Sequence, residues 1–206
     1  MLAEIHEWLR QKTAFLIPGC RRRLVTQDME QTYVREFLPE EPDGLASFPK
    51  KWFFGEQGIF AYQLMFDIHP ARHEEVFALI SRIFPSAEKD FFVWQRAKNA
   101  RGESIHYAPN LQFNGVQILL FTNSVEFLKA LDALRIEPNP PWIAIPSANP
   151  YTLGLLQGTY EFWKNSYWLP FWSSLTPEER QSYLDVNQAP EDWAEGLMPI
   201  DMPWHK

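Results

Sequence analysis

Two histidines four positions apart, His69 and His73, have the residue type and spacing that best suit metal chemistry. On one face of a helix such a pair can share one metal ion. Pro70 lies between them and suits the first turn of a helix, which places His69 at or before the helix cap. The pair also lacks a third placed ligand, so we predict no metal site. One alternative stays open, a small enzyme that assembles His69, His73, Asp67 or Glu74, with or without a divalent metal.

Cys20 is the one cysteine of the chain, and Arg21, Arg22 and Arg23 follow it. Nearby positive charge favours a thiolate. A phosphatase-type loop needs an arginine six positions after the cysteine, where this chain has Thr26. Without a recognisable histidine partner, we predict no catalysis by Cys20. A single cysteine also excludes an internal disulfide and a multi-cysteine zinc site, and it is typical of a reducing compartment.

The glycine-rich nucleotide loops and the G-x-S-x-G serine-hydrolase motif do not occur in the sequence. The paired carboxylates, such as Glu178 and Glu179, are adjacent in the sequence, and neighbours on a helix do not face each other. We therefore predict no catalytic residue and no cofactor, which favours a non-enzymatic protein.

The charge of the chain is concentrated at its carboxyl end. The 206 residues carry 26 acidic and 19 basic side chains, a net charge of −7. Residues 176–206 contain seven acids and two bases, so −5 of the −7 lies there. An acidic segment repels phosphate backbones and anionic lipids, which excludes nucleic acid and membrane surfaces as expected partners. It favours a basic protein partner, with the expected contacts Glu178, Glu179, Glu191, Asp192 and Trp193.

Residues 160–172 contain seven aromatic side chains. At helical spacing, Tyr160, Trp163 and Tyr167 share one face, and Trp168 and Trp172 share another. Aromatic residues on two faces of a helix indicate either burial between two layers or an exposed recognition surface, and the sequence leaves both open. In the second case Trp168 and Trp172 join the expected partner contacts.

The middle of the chain predicts the elements that would position these groups. Alternating apolar residues predict a strand over 58–68, and an apolar stripe predicts a helix from Pro70 to Phe84. A second strand is predicted at 90–96 and a third within 111–122, where Asn114-Gly115 indicates either a hairpin or a bulge. A helix capped by Asn123 with Glu126 follows, and then an edge strand at 142–145.

This β-α-β-β-α-β order resembles the ferredoxin-like arrangement over about 90 residues. We predict an α+β fold in which 1–206 forms a single domain with an antiparallel sheet core at 58–146. Residues 1–50 are an N-terminal helical addition, with helices expected at 2–12 and 28–38 and a loop at 39–50. Residues 151–206 are an aromatic-rich, acidic helical addition, with a helix over 151–174 that Pro170 interrupts and a further helix that begins at Thr176.

The expected function is a cytoplasmic protein-binding module, in one version an immunity-type neutraliser of a basic enzyme or toxin. The location follows from cysteine usage, an N-terminus unlike a signal peptide, and the absence of any apolar run near the ~18–20 residues of a membrane span. The alternatives are the small enzyme described above and a structural component that oligomerises through its aromatic helix or a sheet edge.

Overall fold

A computed structural model describes residues 27–35, 42–91 and 93–197. They form an α+β fold around a five-stranded antiparallel sheet with the strand order β1-β2-β5-β4-β3. The strands are β1 (Lys51–Phe53), β2 (Tyr62–Ile68), β3 (Gln95–Lys98), β4 (Ser104–Gln112) and β5 (Gly115–Thr122).

Both faces of the sheet are covered at its centre, since every residue of β2 and β5 is buried. Residues 27–32 are helical, and 3-10 turns lie at Gly55–Gln57, Pro70–Arg72 and Pro150–Leu155. The longer elements are α1 (His73–Ile83), α2 (Val125–Ala133), α3 (Pro141–Ala144), α4 (Thr159–Trp163), a π-helical turn (Lys164–Trp168), α5 (Leu169–Ser174), α6 (Pro177–Val186) and α7 (Glu191–Leu197). Within the described ranges, no helix is long and apolar enough to cross a membrane.

The α+β class is confirmed, and so are the elements with the clearest periodicity. The predicted strand over 58–68 forms as β2, and the stripe of the following helix is buried in α1, from Val76 to Ile83. Helix α6 begins with the expected capping box, in which Thr176 Oγ1 accepts from the Glu179 N–H and the Glu179 carboxylate accepts from the Thr176 N–H. At the second predicted cap, Ser124 rather than Asn123 is the N-cap residue of α2.

The ferredoxin-like strand order is not confirmed. The edge strand predicted at 142–145 is wrong, because these residues largely belong to the short helix α3. Pro140 accepts hydrogen bonds from the Ile143 and Ala144 N–H groups, and Pro141 occupies the first helical turn, where its missing N–H costs nothing. The sheet edge beside β2 is instead occupied by β1, which precedes β2 in the chain.

Of the two alternatives at Asn114-Gly115, a hairpin forms and not a bulge. Its two turn residues lie one position earlier in the chain than the Asn-Gly pair. Gln112 pairs with Gly115, so Phe113 and Asn114 are the two turn residues, each with a φ of 53°. Gly115 instead begins β5 next to Asp67 of the neighbouring strand. A Cβ atom on Gly115 would overlap Asp67 Oδ1 and lie 3.1 Å from Asn139 Nδ2. Close packing at Asp67, rather than turn conformation, requires the glycine.

Residues 159–174 form one continuous helical run, α4 followed by the π-helical turn and α5, and Pro170 does not interrupt it. The Leu169 N–H donates to the Lys164 carbonyl five residues earlier, which widens the helix directly before the proline. A proline cannot donate to the residue four positions before it, and a wider turn relieves the clash of its ring. The chain breaks before this run at Gly158, whose φ is 63°.

Other predicted elements differ or lie outside the described ranges. The second strand is shifted to Gln95–Lys98, and the predicted third strand forms as β5. Most of β4, which begins at Ser104, lies outside every predicted strand. The helix predicted at 28–38 ends at residue 32 within its described part. The helix predicted at 2–12, Cys20 and residues 36–41 lie outside the described residues.

Gly115→Ala is expected to lower the free energy of unfolding by about 2–4 kcal/mol, because the new methyl group enters a buried and hydrogen-bonded cluster. Gly154→Ala is the matched control, since no atom lies within 4 Å of its Cβ position and its φ is not positive. The control should leave stability unchanged or raise it by up to about 1 kcal/mol. Urea denaturation of both variants measures the difference, and equal stabilities would contradict the packing argument.

Candidate functional site

Asp67 is a fully buried carboxylate that joins three parts of the fold. Its Oδ1 accepts from Gln117 Nε2 of β5 at 2.8 Å. Its Oδ2 accepts from Trp163 Nε1 of α4 and from the Asn139 backbone N–H, both at 3.3 Å. The Asn139 amide in turn donates to the Phe113 and Asn114 carbonyls at 3.3 and 2.6 Å. We call Asp67, Gln117, Asn139 and Trp163 the Asp67 cluster.

Two further oxygens of the Asp67 cluster accept no hydrogen bond. Gln117 Oε1 and Asn139 Oδ1 are buried without a partner in the described part of the chain. Burial raises the pKa of Asp67 to about 7, although the hydrogen bonds from Gln117, Trp163 and Asn139 act in the opposite direction. A pKa near 7 means that this carboxyl group takes up its proton in the neutral pH range.

The structure brings together two of the histidine and carboxylate candidates, since His73 Nε2 lies 3.2 Å from Glu74 Oε1 at the surface. Glu74 also pairs with Lys89, and His73 Nδ1 lies against the Pro70 carbonyl. His69 Nδ1 instead accepts from the Ala71 N–H at 3.1 Å, as an N-cap, and none of the hydrogen bonds to Asp67 comes from a histidine. Over the residues that the structure describes, no group of three or more His, Cys, Asp or Glu side chains is arranged to hold a metal ion.

A second buried polar chain connects residues 27–35 to the sheet. The Tyr33 hydroxyl donates to the Phe121 carbonyl at 2.8 Å and lies 2.9 Å from His106 Nδ1. His106 Nε2 lies 2.9 Å from Asp28 Oδ2, and Asp28 also pairs with Arg96. The imidazole ring of His106 is therefore held at both of its nitrogens, by Tyr33 on one side and by Asp28 on the other.

Burial lowers the pKa of His106, and the hydrogen bond and charge of Asp28 oppose that shift. Burial alone would raise the pKa of Asp28, but its interactions with His106 and Arg96 lower it. Tyr33 and His106 are fully buried, so no substrate reaches them in this fold. This arrangement acts as a structural connection rather than as an exposed reactive site.

The predicted acidic contacts lie at the surface. Glu178 and Glu179 are exposed at the start of α6, and Glu191 and Asp192 are exposed at the start of α7. Exposure makes these four carboxylates accessible, but partner binding by them stays a prediction. Glu179 is also engaged in the capping box of α6, so its substitution would alter helix stability as well as charge.

The three predicted tryptophan contacts are part of the core. Trp168 and Trp172 have no exposed surface, and Trp193 is 4% exposed. Trp163, Trp168 and Trp172 form a stack with ring centroids 6.2 and 5.3 Å apart, and Trp193 packs on Trp142. For residues 160–172 the sequence left open burial between two layers or an exposed recognition surface. The structure shows burial for the tryptophan side chains of this segment, and the helical run that carries them packs on β2. In this fold they offer no surface to a partner.

An open cleft of about 610 Å³ lies above the Asp67 cluster, between the β4–β5 turn and the start of α4. We call it the turn cleft. Its lining includes an aromatic pair, Phe113 and Tyr160, whose ring centroids are 6.1 Å apart. Phe113 also packs on Trp163 at 6.0 Å. The other lining residues are Gln112, Asn114, Ala144, Gln157 and Thr159.

Comparisons of this chain with protein-family models, curated proteins and solved structures found no match. The site is therefore interpreted from its own geometry.

Sequence reasoning overlooked the connection among Asp67, Gln117 and Asn139. One signal was available, since Asp67 lies in a strand that is otherwise strongly apolar, and a lone acid there needs donors from neighbouring elements. The sequence alone does not identify those donors, because Gln117 and Trp163 are 50 and 96 residues away from Asp67 in the chain.

The raised pKa of Asp67 predicts a pH-dependent stability. The folded-state pKa of about 7 lies above the usual aspartate value of 3.8, so the folded protein binds the proton more tightly. The stabilisation is complete below the unfolded pKa and is lost as the pH rises through 7. Relative to Asp67→Asn, the wild type should lose about 2–4 kcal/mol of unfolding free energy between pH 4 and pH 8.

Taking the difference between the two proteins removes the contributions of Asp28 and His106, whose pKa shifts are common to both. Denaturant titrations at several pH values measure this difference in the free energy of unfolding. Parallel stability curves for wild type and variant would show that Asp67 does not titrate in this range.

Proposed function

We propose that this chain is a non-enzymatic protein-binding module that binds a basic protein through its acidic helices α6 and α7. One observation carries the proposal: within residues 151–197, every exposed charged side chain is acidic. These side chains are Glu161, Glu178, Glu179, Asp185, Glu191, Asp192 and Glu195.

The two cations of the same segment, Lys164 and Arg180, are both buried. Arg180 points inward, where its Nε donates to the Trp172 carbonyl at 3.2 Å and its guanidinium lies 5.4 Å from the Trp172 ring centroid. Exposed charges interact over roughly 8–10 Å at physiological salt, so carboxylates without exposed cations among them produce a locally negative potential. Such a potential attracts a basic partner and orients its approach.

A second cleft, of about 420 Å³, opens beside α6 and gives the same surface a place for an inserted side chain. Its lining combines apolar rings, Phe48 and Phe171, with the carboxylates of Glu137 and Glu179. Arg135 lines it as well. Burial raises the pKa of Glu137, and an incoming cation would oppose that shift. An apolar wall with carboxylates suits the stem and charged head of a lysine or arginine.

The partner class that fits best is a basic enzyme or toxin that the chain neutralises, as immunity proteins do. Basic active-site clefts attract acidic surfaces, and steering of this kind raises association rates more than it raises affinity. Because Trp168, Trp172 and Trp193 are buried, the proposed contacts are the exposed acids alone. A cytoplasmic location is proposed together with this role, on the cysteine usage described above.

The test uses two variants with the same change in net charge. In the first, Glu178, Glu191 and Glu195 become Gln and Asp192 becomes Asn, which keeps the oxygen that accepts from the Trp193 N–H. In the control, four exposed acids elsewhere are neutralised in the same way: Asp43, Glu56, Glu88 and Asp90.

Both variants and the wild type are used as bait in a lysate of the source cells, and the captured proteins are identified by mass spectrometry. We expect a basic protein that the wild type and the control retain and the acidic-helix variant loses, with an association rate about tenfold lower at low salt. Equal retention by all three baits, or equal loss from both variants, would contradict the proposed role of α6 and α7.

A further inference from the structure

The turn cleft differs from the acidic helices in its chemistry, because none of its lining residues carries a charge. A cleft without charges has no counter-ion for an ionic ligand, so its chemistry favours a neutral one. Its volume of about 610 Å³ lies within the range of small-molecule sites.

Its polar side chains are available to a ligand. Gln112, Gln157 and Thr159 line the cleft, and their side chains form no hydrogen bond with other residues in the ranges that the structure describes. Side-chain amides and hydroxyls both donate and accept, which is what a ligand with many hydroxyl groups requires. A largely apolar ligand would leave these groups without partners.

Tyr160 gives the cleft an aromatic surface. Its side chain is 45% exposed, although it is one of the large hydrophobic residues. Phe113 packs edge to face against Tyr160 and also packs on Trp163, so the aromatic pair is attached to the core. The exposed face of a tyrosine ring can stack on the C–H face of a sugar ring, and the tyrosine hydroxyl can form a hydrogen bond with a hydroxyl group of the sugar.

Side-chain hydrogen bonds hold the turn that forms one wall of the cleft. Phe113 has a φ of 53°, a conformation that is costly for an aromatic residue and persists where the surroundings fix it. Asn139 Nδ2 holds the turn carbonyls, and Asn114 Nδ2 donates to the Ile143 carbonyl at 2.8 Å. The Asp67 cluster therefore fixes the position of the cleft wall before any ligand arrives.

We infer that the turn cleft binds an uncharged saccharide, with one ring stacked on Tyr160 and its hydroxyl groups bonded to Gln112, Gln157 and Thr159. This binding is independent of the basic partner proposed for α6 and α7.

Saturation-transfer NMR with neutral trisaccharides tests the inference. Cellotriose, maltotriose and N,N′,N″-triacetylchitotriose are the probes, and trigalacturonate is the anionic comparison. We expect saturation transfer to at least one neutral probe and none to trigalacturonate. Tyr160→Ala should lower the affinity for the neutral probe that binds about tenfold, and Tyr160→Phe, which keeps the ring, should lower that affinity less.

Tyr151→Ala is the matched control, since Tyr151 is 70% exposed and does not line the cleft. It should leave binding unchanged, and so should the variant neutralised at α6 and α7, which separates this inference from the proposed function. Thermal melts confirm that each variant is folded. No transfer to any neutral probe, or equal losses from Tyr160→Ala and Tyr151→Ala, would overturn the saccharide assignment. So would preferential binding of trigalacturonate.

Discussion

The fold depends on the hydrogen bonds that surround one buried carboxylate, Asp67. A buried acid is costly unless donors from its surroundings meet it, and here the donors come from β5, from the segment before α3 and from α4. These elements are far apart in the sequence, so the carboxylate can be satisfied only when the sheet and the helical run 159–174 are assembled together. Gly115 must lack a side chain for the same reason.

Both surfaces to which we assign binding are connected to this cluster, the turn cleft directly and the acidic helices through the helical run 159–174. The turn cleft has one wall that Asn139 holds in place and another formed at the start of α4, beside Trp163. The acidic helices follow the same helical run, and α6 is attached to it through Arg180 on Trp172 and through Tyr183, whose ring packs on Trp168. The buried contacts between the sheet and the helical run 159–174 therefore determine the positions of the turn cleft and of the acidic helices.

The sequence was most informative where one short-range rule acted alone. The apolar stripe of α1 and the capping box at Thr176 both depend on neighbours within a few residues, and both are present. Long-range constraints explain the errors. The hairpin at Asn114-Gly115 was predicted, but its register follows from the contact between Gly115 and Asp67.

Residues 142–145 carry a strand-like apolar pattern, yet the proline pair before them begins a helix. Among the predicted site residues, the four acids on α6 and α7 are exposed, as their polarity indicates. The burial of Trp168, Trp172 and Trp193 is a property of layer packing, which one sequence does not define.

Hydrogen–deuterium exchange of Asp67→Ala beside the wild type tests the central claim most directly. Alanine has no side-chain oxygen to accept from Gln117, Trp163 and Asn139, so the contact between the sheet and the helical run should loosen. We predict faster exchange in residues 136–141 and 159–174 and unchanged exchange in α1. Unchanged exchange in 159–174, or a uniform increase across the chain, would contradict the role given to Asp67.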